Sequence, residues 1–379
     1  MIQRAQRAIL LLLFAALLAR FGGIFLTESL GFNPFAGGQV DGHADRAEEI
    51  ANNFGQVESD IRWTSTAGSE RWAPFLAIFW LLPGPSQLYA QISIAFVGTV
   101  SIYNVFIITR HYHSNQAGLL AAIPLAFFPT YIFMHSVLQR EAAILFLLTT
   151  AFILIFLPVR YIRTPINYVL GAGCVFLAGH LRLETLPVYI VIIGVVVLTA
   201  IISSKIISRT TKFQVGVVMS GIGLATIYLI VGQFISSISD VVDYFANLRA
   251  RRARGRATYL PEAIPSSFLE LIAFSWIGAI YFLFAPFPWH FETALDIGGL
   301  VESIIGIAYA LFAVLGVFVL KKQTLLGTLA LVSLIILFSV LFGFGTANYG
   351  TAVRHRQTVF WAIFILGAIG FSSKVQFKT

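Results

Sequence analysis

Residues 1–20 read MIQRAQRAILLLLFAALLAR, and the apolar character continues through FGGIFL at 21–26. About 20 apolar residues form an α-helix long enough to cross about 30 Å of hydrocarbon. Arginines ahead of an apolar core are typical of a signal peptide, but no small-x-small cleavage site follows them. We therefore predict an uncleaved first helix over about 8–27, with its N-terminus in the cytoplasm.

Similar apolar runs recur along all 379 residues, of which 58% are hydrophobic and only 11% are charged. A soluble protein of this length has too little interior to hide that much apolar surface. The pattern predicts an all-α polytopic membrane protein with about 11 transmembrane helices (10–12), forming one integral domain over 1–379 in the plasma (inner) membrane. The further predicted helices are at about 86–109, 117–134 (broken by Pro124 and Pro129), 141–158, 165–181, 184–203, 213–236, 267–285, 299–320, 324–343 and 358–373.

The net charge of +8 is explained by Lys and Arg residues that flank the helices. Such residues attract anionic head groups, so membrane lipids are expected partners and a nucleic acid is the weaker interpretation. The single cysteine, Cys174, excludes a disulfide framework.

A polar segment at about 31–71 contains seven of the 17 acidic residues. An acid-rich loop after a helix that starts in the cytoplasm is expected on the extracytoplasmic side. Within it, HADRAEEIANNF (43–54) has helical spacing and predicts a short amphipathic helix at the membrane interface. The following WAPFLAIFWLLPG (72–84) is too short to span and predicts a half-helix.

Alternation of the helices places two further polar segments, HSVLQRE (135–141) and HLRLE (180–184), on the same outer side as the acidic loop. The topology of the last third stays open. Strict alternation puts the lysine pair at 321–322 outside, whereas the inverted arrangement puts it inside and RHR (354–356) outside. The positive-inside rule slightly favours inversion.

Two aspartates of the acidic loop, Asp41 and Asp45, are candidate catalytic bases, with Glu48 and Glu49 as secondary candidates. An exposed carboxylate above a membrane cavity can take a proton from an acceptor hydroxyl. Paired carboxylates could also hold a divalent metal, although we assign no metal ligands and predict no cofactor firmly. A solvated polar face is the alternative for each of these acids.

Charged residues at helix ends form the second candidate set, because desolvation makes them costly there. Arginine suits phosphate oxygens, so we predict contacts to a lipid phosphate, whereas structural ion pairs and a basic helix flank are the alternatives. The candidates are Arg140, Glu141, Arg182, Glu184, Arg354, His355 and Arg356.

The order of these segments resembles a known family. It runs from the loop helix ending EEIA through RWAPFLAIFWLLPGPSQLYAQI, AFFPTYIFMHSVLQREAAILFLL and LAGHLRLETLPVYIVI to a late RHRQTVFWAIFIL. This resembles the GT-C class of polytopic glycosyltransferases, in particular the group of protein mannosyltransferases and aminoarabinose transferases. The resemblance covers about 1–210 and, more loosely, the last 40 residues, with variable C-terminal helices over 211–379.

The resemblance implies transfer of a sugar from a polyprenyl-phosphate-linked donor to a lipid, glycan or protein acceptor on the outer face. It implies a catalytic acid at Asp41 or Asp45, a recurring glutamate at Glu141 and a recurring arginine at Arg182. Two alternatives remain: a non-catalytic scaffold or partner subunit that shares the fold, and a lipid or solute transporter. A transporter often has an internal repeat, and none is evident in this sequence.

Overall fold

The computed structural model describes residues 2–32, 39–54, 68–157, 165–203, 238–253, 255–293 and 296–375. These residues are helices and connecting turns with no β-strand, apart from one isolated antiparallel bridge between Thr258 and Asn348. The predicted all-α architecture is confirmed for this part of the chain. The predicted helix at 213–236 lies outside the described residues.

The helices follow the apolar runs of the sequence. They are α1 (Ile2–Leu30), α2 (Gln39–Asn52), α3 (Gly68–Trp80), α4 (Ser86–Tyr112), α5 (Asn115–Phe127), α6 (Pro129–Met134), α7 (Glu141–Phe156), α8 (Pro165–Leu181), α9 (Leu186–Ser203), α10 (Ile238–Arg252), α11 (Phe268–Phe284), α12 (Asp296–Leu320), α13 (Leu325–Gly345) and α14 (Tyr349–Lys374). Side chains cap several of them, as when the Ser114 hydroxyl accepts a hydrogen bond from Ala117 N.

Six helices of the described chain are long and apolar enough to cross a membrane, namely α1, α4, α9, α12, α13 and α14. The helices α5, α7, α8 and α11 are also apolar but have 10–17 residues. These features are those of a polytopic membrane protein. The total number of spans, the identity of the membrane and the side of the N-terminus stay predictions.

The chain forms two compact units, Met1–Leu183 (unit 1) and Glu184–Thr379 (unit 2). The boundary falls inside the HLRLE segment, and the predicted single integral domain stays a prediction. In unit 1, α4 packs against α5 and α7, α7 packs against α8, and α2 lies on α3. In unit 2, α12 packs against α14 and α11 packs against α13.

A buried arginine of α1 stabilises the break between α5 and α6 in unit 1 by donating hydrogen bonds to carbonyls at the end of α5. Pro129 has no backbone N–H, so the carbonyl of Leu125, four residues earlier, lacks its helical donor. Arg20 of α1, fully buried, donates from Nη2 to Leu125 O at 2.9 Å. Its Nη1 reaches Ala126 O at 3.5 Å, so one guanidinium satisfies the end of a helix about 105 residues away.

Close backbone contacts form the core of unit 2. A Cβ atom added at Gly316 of α12 would collide with the carbonyl of Leu366, and one at Gly370 of α14 would collide with the carbonyl of Phe312. Only glycine allows two helices to approach this closely, which explains why residues 355–370 of α14 are buried throughout.

One expected boundary in unit 2 was wrong. The last helix begins at Tyr349 rather than at about 358, because packing on α12 buries a polar stretch that looks like a helix flank. The arginine-rich segment 248–259 begins inside α10, which continues to Arg252. Beyond it, Tyr259 N donates to Ala347 O at 2.9 Å and Tyr349 N donates to Ala257 O at 2.8 Å.

Candidate functional site

The acidic loop contains the short helix that its spacing predicts, α2. Three of its carboxylates, Asp45, Glu48 and Glu49, are exposed. Asp41 lies in the first turn of α2, and its side chain is outside the described part of the molecule. The helix therefore presents accessible carboxylates, as a general base requires.

Arg46 attaches α2 to α3. Its Nη1 lies 2.6 Å from Glu49 Oε2, and its Nη2 lies 2.9 Å from Glu70 Oε2 on the first turn of α3. The hydrogen bond with Glu49 is the main cause that raises the pKa of Arg46 above its ordinary value. Because Glu49 is engaged in this pair, it is a weaker candidate base than Asp45.

The first turn of α3 also fixes the position of this module on the helical bundle. The indole Nε1 of Trp72 donates to Leu138 O at 3.0 Å, which places α3 on the turn between α6 and α7. Arg71 is buried and lies close enough to His180, at the end of α8, for the two to interact electrostatically. Glu70 and Trp72 thus attach α3 to α2 and to the turn before α7, and Arg71 lies near the end of α8.

Beside the turn between α6 and α7, the structure brings together two residues of the predicted phosphate-binding set. Arg182 Nη2 lies 2.6 Å from Glu141 Oε1, and each side chain is only 1% exposed. Glu141 is the first residue of α7, where the helix dipole favours a negative charge. Arg140 also faces α8, since its Nη1 donates to Leu181 O at 2.8 Å. The HSVLQRE segment is therefore a turn before α7, and its last two residues attach the start of α7 to the end of α8.

The other predicted phosphate contacts belong to unit 2. Glu184 is exposed in the short 3-10 turn Leu183–Thr185. Arg354 is half-buried in α14, and His355 is buried with its ring 4.8 Å from that of Phe342. These three residues, like Arg356, are predicted contacts that the structure does not test.

Arg356 is buried in the interior of unit 2. Its Nη1 donates to Ala285 O at 2.7 Å and to Leu283 O at 3.0 Å, which are carbonyls at the end of α11. Its Nη2 lies 3.5 Å from Glu302 Oε2. The guanidinium therefore donates hydrogen bonds to the carbonyls at the end of α11 and also pairs with a carboxylate.

A second group of polar residues in unit 2 was missed from the sequence. Asp296, at the start of α12, accepts from Arg256 Nη1 at 2.6 Å, Thr293 N at 2.8 Å and the Tyr349 hydroxyl at 3.0 Å. An acid immediately before a long apolar run is a helix-start signal that could have indicated this role. The same ion pair raises the pKa of Arg256.

Arg249 is the other missed residue of unit 2. It is fully buried, whereas Arg251, two positions further along the same helix, is exposed. Burial lowers the pKa of Arg249, and burial also raises the pKa of the adjacent Tyr259 hydroxyl. No sequence signal separates Arg249 from the other arginines of the run.

Among the described residues, no group of three His, Cys, Asp or Glu side chains is arranged to hold a metal ion. Comparison of the chain with protein-family models, curated proteins and solved structures finds no match. The family resemblance noted from the sequence therefore stays a prediction.

Proposed function

We propose that this protein is a membrane glycosyltransferase that moves a sugar from a polyprenyl-phosphate-linked donor to a lipid, glycan or protein acceptor on the extracytoplasmic face. The observation that carries the proposal is the buried Arg182–Glu141 pair next to the turn on which the acidic α2–α3 module rests. Accessible acids and buried arginines at one end of a helical bundle match the needs of this chemistry.

In the proposed reaction, Asp41 or Asp45 accepts the proton of the acceptor hydroxyl. The hydroxyl oxygen attacks the anomeric carbon of the donor while the bond from that carbon to the phosphate oxygen breaks. The polyprenyl phosphate leaves with the bonding electrons, and its developing negative charge is stabilised by arginine. Glu48 and Glu49 are secondary candidates for the base.

The arginines of unit 1 support the phosphate side of this reaction. Arg140 and Arg182 lie at the junction of α7 and α8, where Glu141 holds Arg182 in place. A planar guanidinium in a water-poor setting binds a phosphate more strongly than an exposed one does. Glu184, Arg354, His355 and Arg356 belong to unit 2 and are proposed separately as candidate contacts to a phosphate or a sugar.

The test uses full-length protein in liposomes that contain polyprenyl-phosphate sugars and candidate acceptors. Asp45→Asn, Asp41→Asn and the double substitution are compared with Asp243→Asn, which removes an exposed aspartate of α10 outside the acidic loop. Loss of a general base lowers the transfer rate by about 10²–10⁴-fold. We expect at least one aspartate variant to lose that much while its thermal unfolding is unchanged. Full activity in the double variant would show that neither aspartate is the base.

The phosphate contact is tested by Arg182→Lys, which retains the charge but loses the planar fork. We expect weaker binding of the lipid donor with little change in stability. Unchanged donor affinity would exclude Arg182 from that role. If none of these substitutions affects any transfer, a scaffold function, consistent with the backbone-carbonyl partners of Arg140 and Arg356, is the better account.

A further inference from the structure

The loop that follows α11 presents a tryptophan that is supported on one ring face. Trp289 is 69% exposed, and its ring stacks on that of Phe287 with a centroid distance of 4.7 Å and an interplanar angle of 15°. Tyr281 of α11 in turn meets Phe287 edge-on, with the ring centroids 5.1 Å apart. Because Phe287 covers one face of the indole, the opposite face is the accessible one. The ring therefore offers a flat apolar surface whose orientation is held by its neighbours.

Polar side chains of the same loop border this ring. The His290 ring centroid lies 5.8 Å from that of Trp289, and His290 Nδ1 accepts a hydrogen bond from Phe287 N at 3.0 Å. A neutral imidazole that accepts at Nδ1 carries its proton on Nε2, so Nε2–H is its donor. His290 is half-buried, and the next two residues, Phe291 and Glu292, are exposed. The loop thus combines an apolar face with a donor and a carboxylate.

Arg256 joins these polar groups from outside the loop. Its Nη1 lies 2.6 Å from Asp296 Oδ2, the same atom that accepts from the backbone N–H of Glu292 at 3.2 Å, and its side chain is 42% exposed. The hydrogen bond with Asp296 is the main cause that raises the pKa of Arg256, and the charge of Glu292 adds to it. Burial lowers the pKa of His290, and the charge of Glu292 is among the effects that oppose this. Glu292 is therefore close to both groups, and the three share one accessible surface beside Trp289.

The charges of this surface favour a neutral, hydroxylated ligand. Asp296 balances the guanidinium of Arg256, and the exposed Glu292 adds a further negative charge. That carboxylate would repel a phosphate or an anionic lipid head group. A carboxylate, a guanidinium and an imidazole N–H can instead accept from and donate to separate hydroxyl groups. The C–H face of a sugar ring packs well on a flat aromatic ring, because many atom pairs come into contact at once.

We propose that Trp289 and the polar side chains around it bind a sugar ring at the surface of unit 2. The polar side chains are those of Arg256, His290 and Glu292. The apolar face of the sugar stacks on the indole, and its hydroxyls exchange hydrogen bonds with the polar groups. Sugar binding goes beyond the proposed transfer reaction. Only the assignment of this sugar to an acceptor glycan rests on the proposed function.

The membrane interface is the competing occupant, since exposed tryptophans near helix ends often contact lipid there. Trp276 of α11 is of that kind. It is 65% exposed, and the residues one turn before and after it, Ile272 and Ile280, are exposed and aliphatic. Trp289 differs because polar side chains, a carboxylate among them, border it. The two tryptophans are similarly exposed and therefore form a matched pair for the experiment.

The first experiment measures oligosaccharide binding to the full-length protein in phosphatidylcholine nanodiscs, without sugar-based detergent and without a lipid-linked donor. The probes are linear hexamers of glucose, mannose and N-acetylglucosamine, titrated by saturation-transfer NMR. We expect saturable binding of at least one hexamer. Trp289→Ala and Glu292→Gln should each weaken that binding about tenfold, because they remove the stacking face and a charged hydrogen-bond acceptor. Trp276→Ala is the control and should bind as the unmodified protein does.

The second experiment tests lipid contact with nanodiscs made from brominated phosphatidylcholine, which quenches the fluorescence of tryptophans that touch the acyl chains. The contribution of each tryptophan is the difference between the unmodified protein and its Trp289→Phe or Trp276→Phe variant. We expect the brominated lipid to quench Trp276 but not Trp289. The hexamer that binds should change the emission of Trp289 and leave that of Trp276 unaltered.

The proposal is overturned if no hexamer binds in a saturable way, or if Trp289→Ala binds it as tightly as the unmodified protein. Quenching of Trp289 by the brominated lipid without sugar binding would assign the loop to the membrane interface instead. Should Trp289→Ala fail to fold, Glu292→Gln, a change at an exposed position, decides the question. Because no donor is present, these outcomes are independent of whether the aspartate variants lose transfer activity.

Discussion

A buried arginine of unit 1, Arg182, and one of unit 2, Arg249, are stabilised in opposite ways. In unit 1, Arg182 has a carboxylate, Glu141, at 2.6 Å, and the two charges cancel inside the protein. In unit 2, Arg249 is as deeply buried but has backbone carbonyls as its hydrogen-bond acceptors. The difference teaches that burial of a charge does not by itself indicate an ion pair. It also separates the expected consequences, because the surroundings of Arg182 depend on its carboxylate and those of Arg249 depend on the arginine itself.

The largest expected effect is in unit 1. Glu141→Gln removes the negative charge opposite Arg182, and a buried charge that loses its partner costs about 3–5 kcal/mol of unfolding free energy. Thermal or denaturant unfolding of the purified protein measures this. The control is Glu184→Gln, an exposed acid two positions beyond Arg182, for which a change within about 0.5 kcal/mol is expected.

The corresponding change in unit 2, Glu302→Gln, sharpens the comparison. Arg356 retains the carbonyls of Leu283 and Ala285, and Glu302 lies at the longer distance of 3.5 Å. We therefore expect less than half the loss seen for Glu141→Gln. Equal losses would contradict the view that Arg356 depends less on its carboxylate than Arg182 does.

Removal of Arg249 should have the second largest effect on stability, after Glu141→Gln. Arg249→Met retains much of the side-chain volume but leaves the carbonyls of Thr346, Tyr259 and Leu260 without their donor. Hydrogen bonds of charged groups contribute about 1.5–3 kcal/mol each and are not additive, so we expect a loss of about 2–4 kcal/mol. Arg251→Met, in the same helix and exposed, should change the unfolding free energy by no more than about 0.5 kcal/mol. Indistinguishable stabilities of the two variants would remove the structural role of Arg249.

The smallest expected effect concerns the attachment of α2. Arg46→Gln breaks the pairs with Glu49 and Glu70, whose side chains are partly exposed, so the loss of stability should be about 0.5–1 kcal/mol. Faster amide hydrogen exchange confined to residues 39–52 is the measurement. Arg7→Gln, an exposed arginine of α1, is the control and should not alter that exchange. Unchanged protection of α2 would mean that apolar contacts alone hold it on α3.

Helix positions could be predicted because apolar length and proline breaks are local properties. The break at Pro129 and the short α2 follow directly from such patterns. The start of α14 could not, because a polar stretch becomes helical there through packing on α12, which is a long-range effect.

The candidate site shows the same limit. Arg182 and Glu141 were singled out as charges at helix ends, but their mutual distance depends on how α7 and α8 pack. Arg20 carries a readable signal, since it is an arginine within an apolar run. The burial of Arg249 has no such signal in the sequence, because it results from the pairing of 257–259 with 347–349.

The clamp that Arg20 forms at the end of α5 also sets an order of events during synthesis. Its carbonyl partners are 105 and 106 residues further along the chain. At about 5–20 residues per second, a ribosome needs roughly 5–20 s to produce them after Arg20 has been made. Over that interval the first helix carries an arginine whose cost at the centre of an isolated membrane helix is about 2.5–3.5 kcal/mol. We therefore expect α1 to remain near the insertion machinery until α5 arrives, and its release into the lipid to be a late step of assembly.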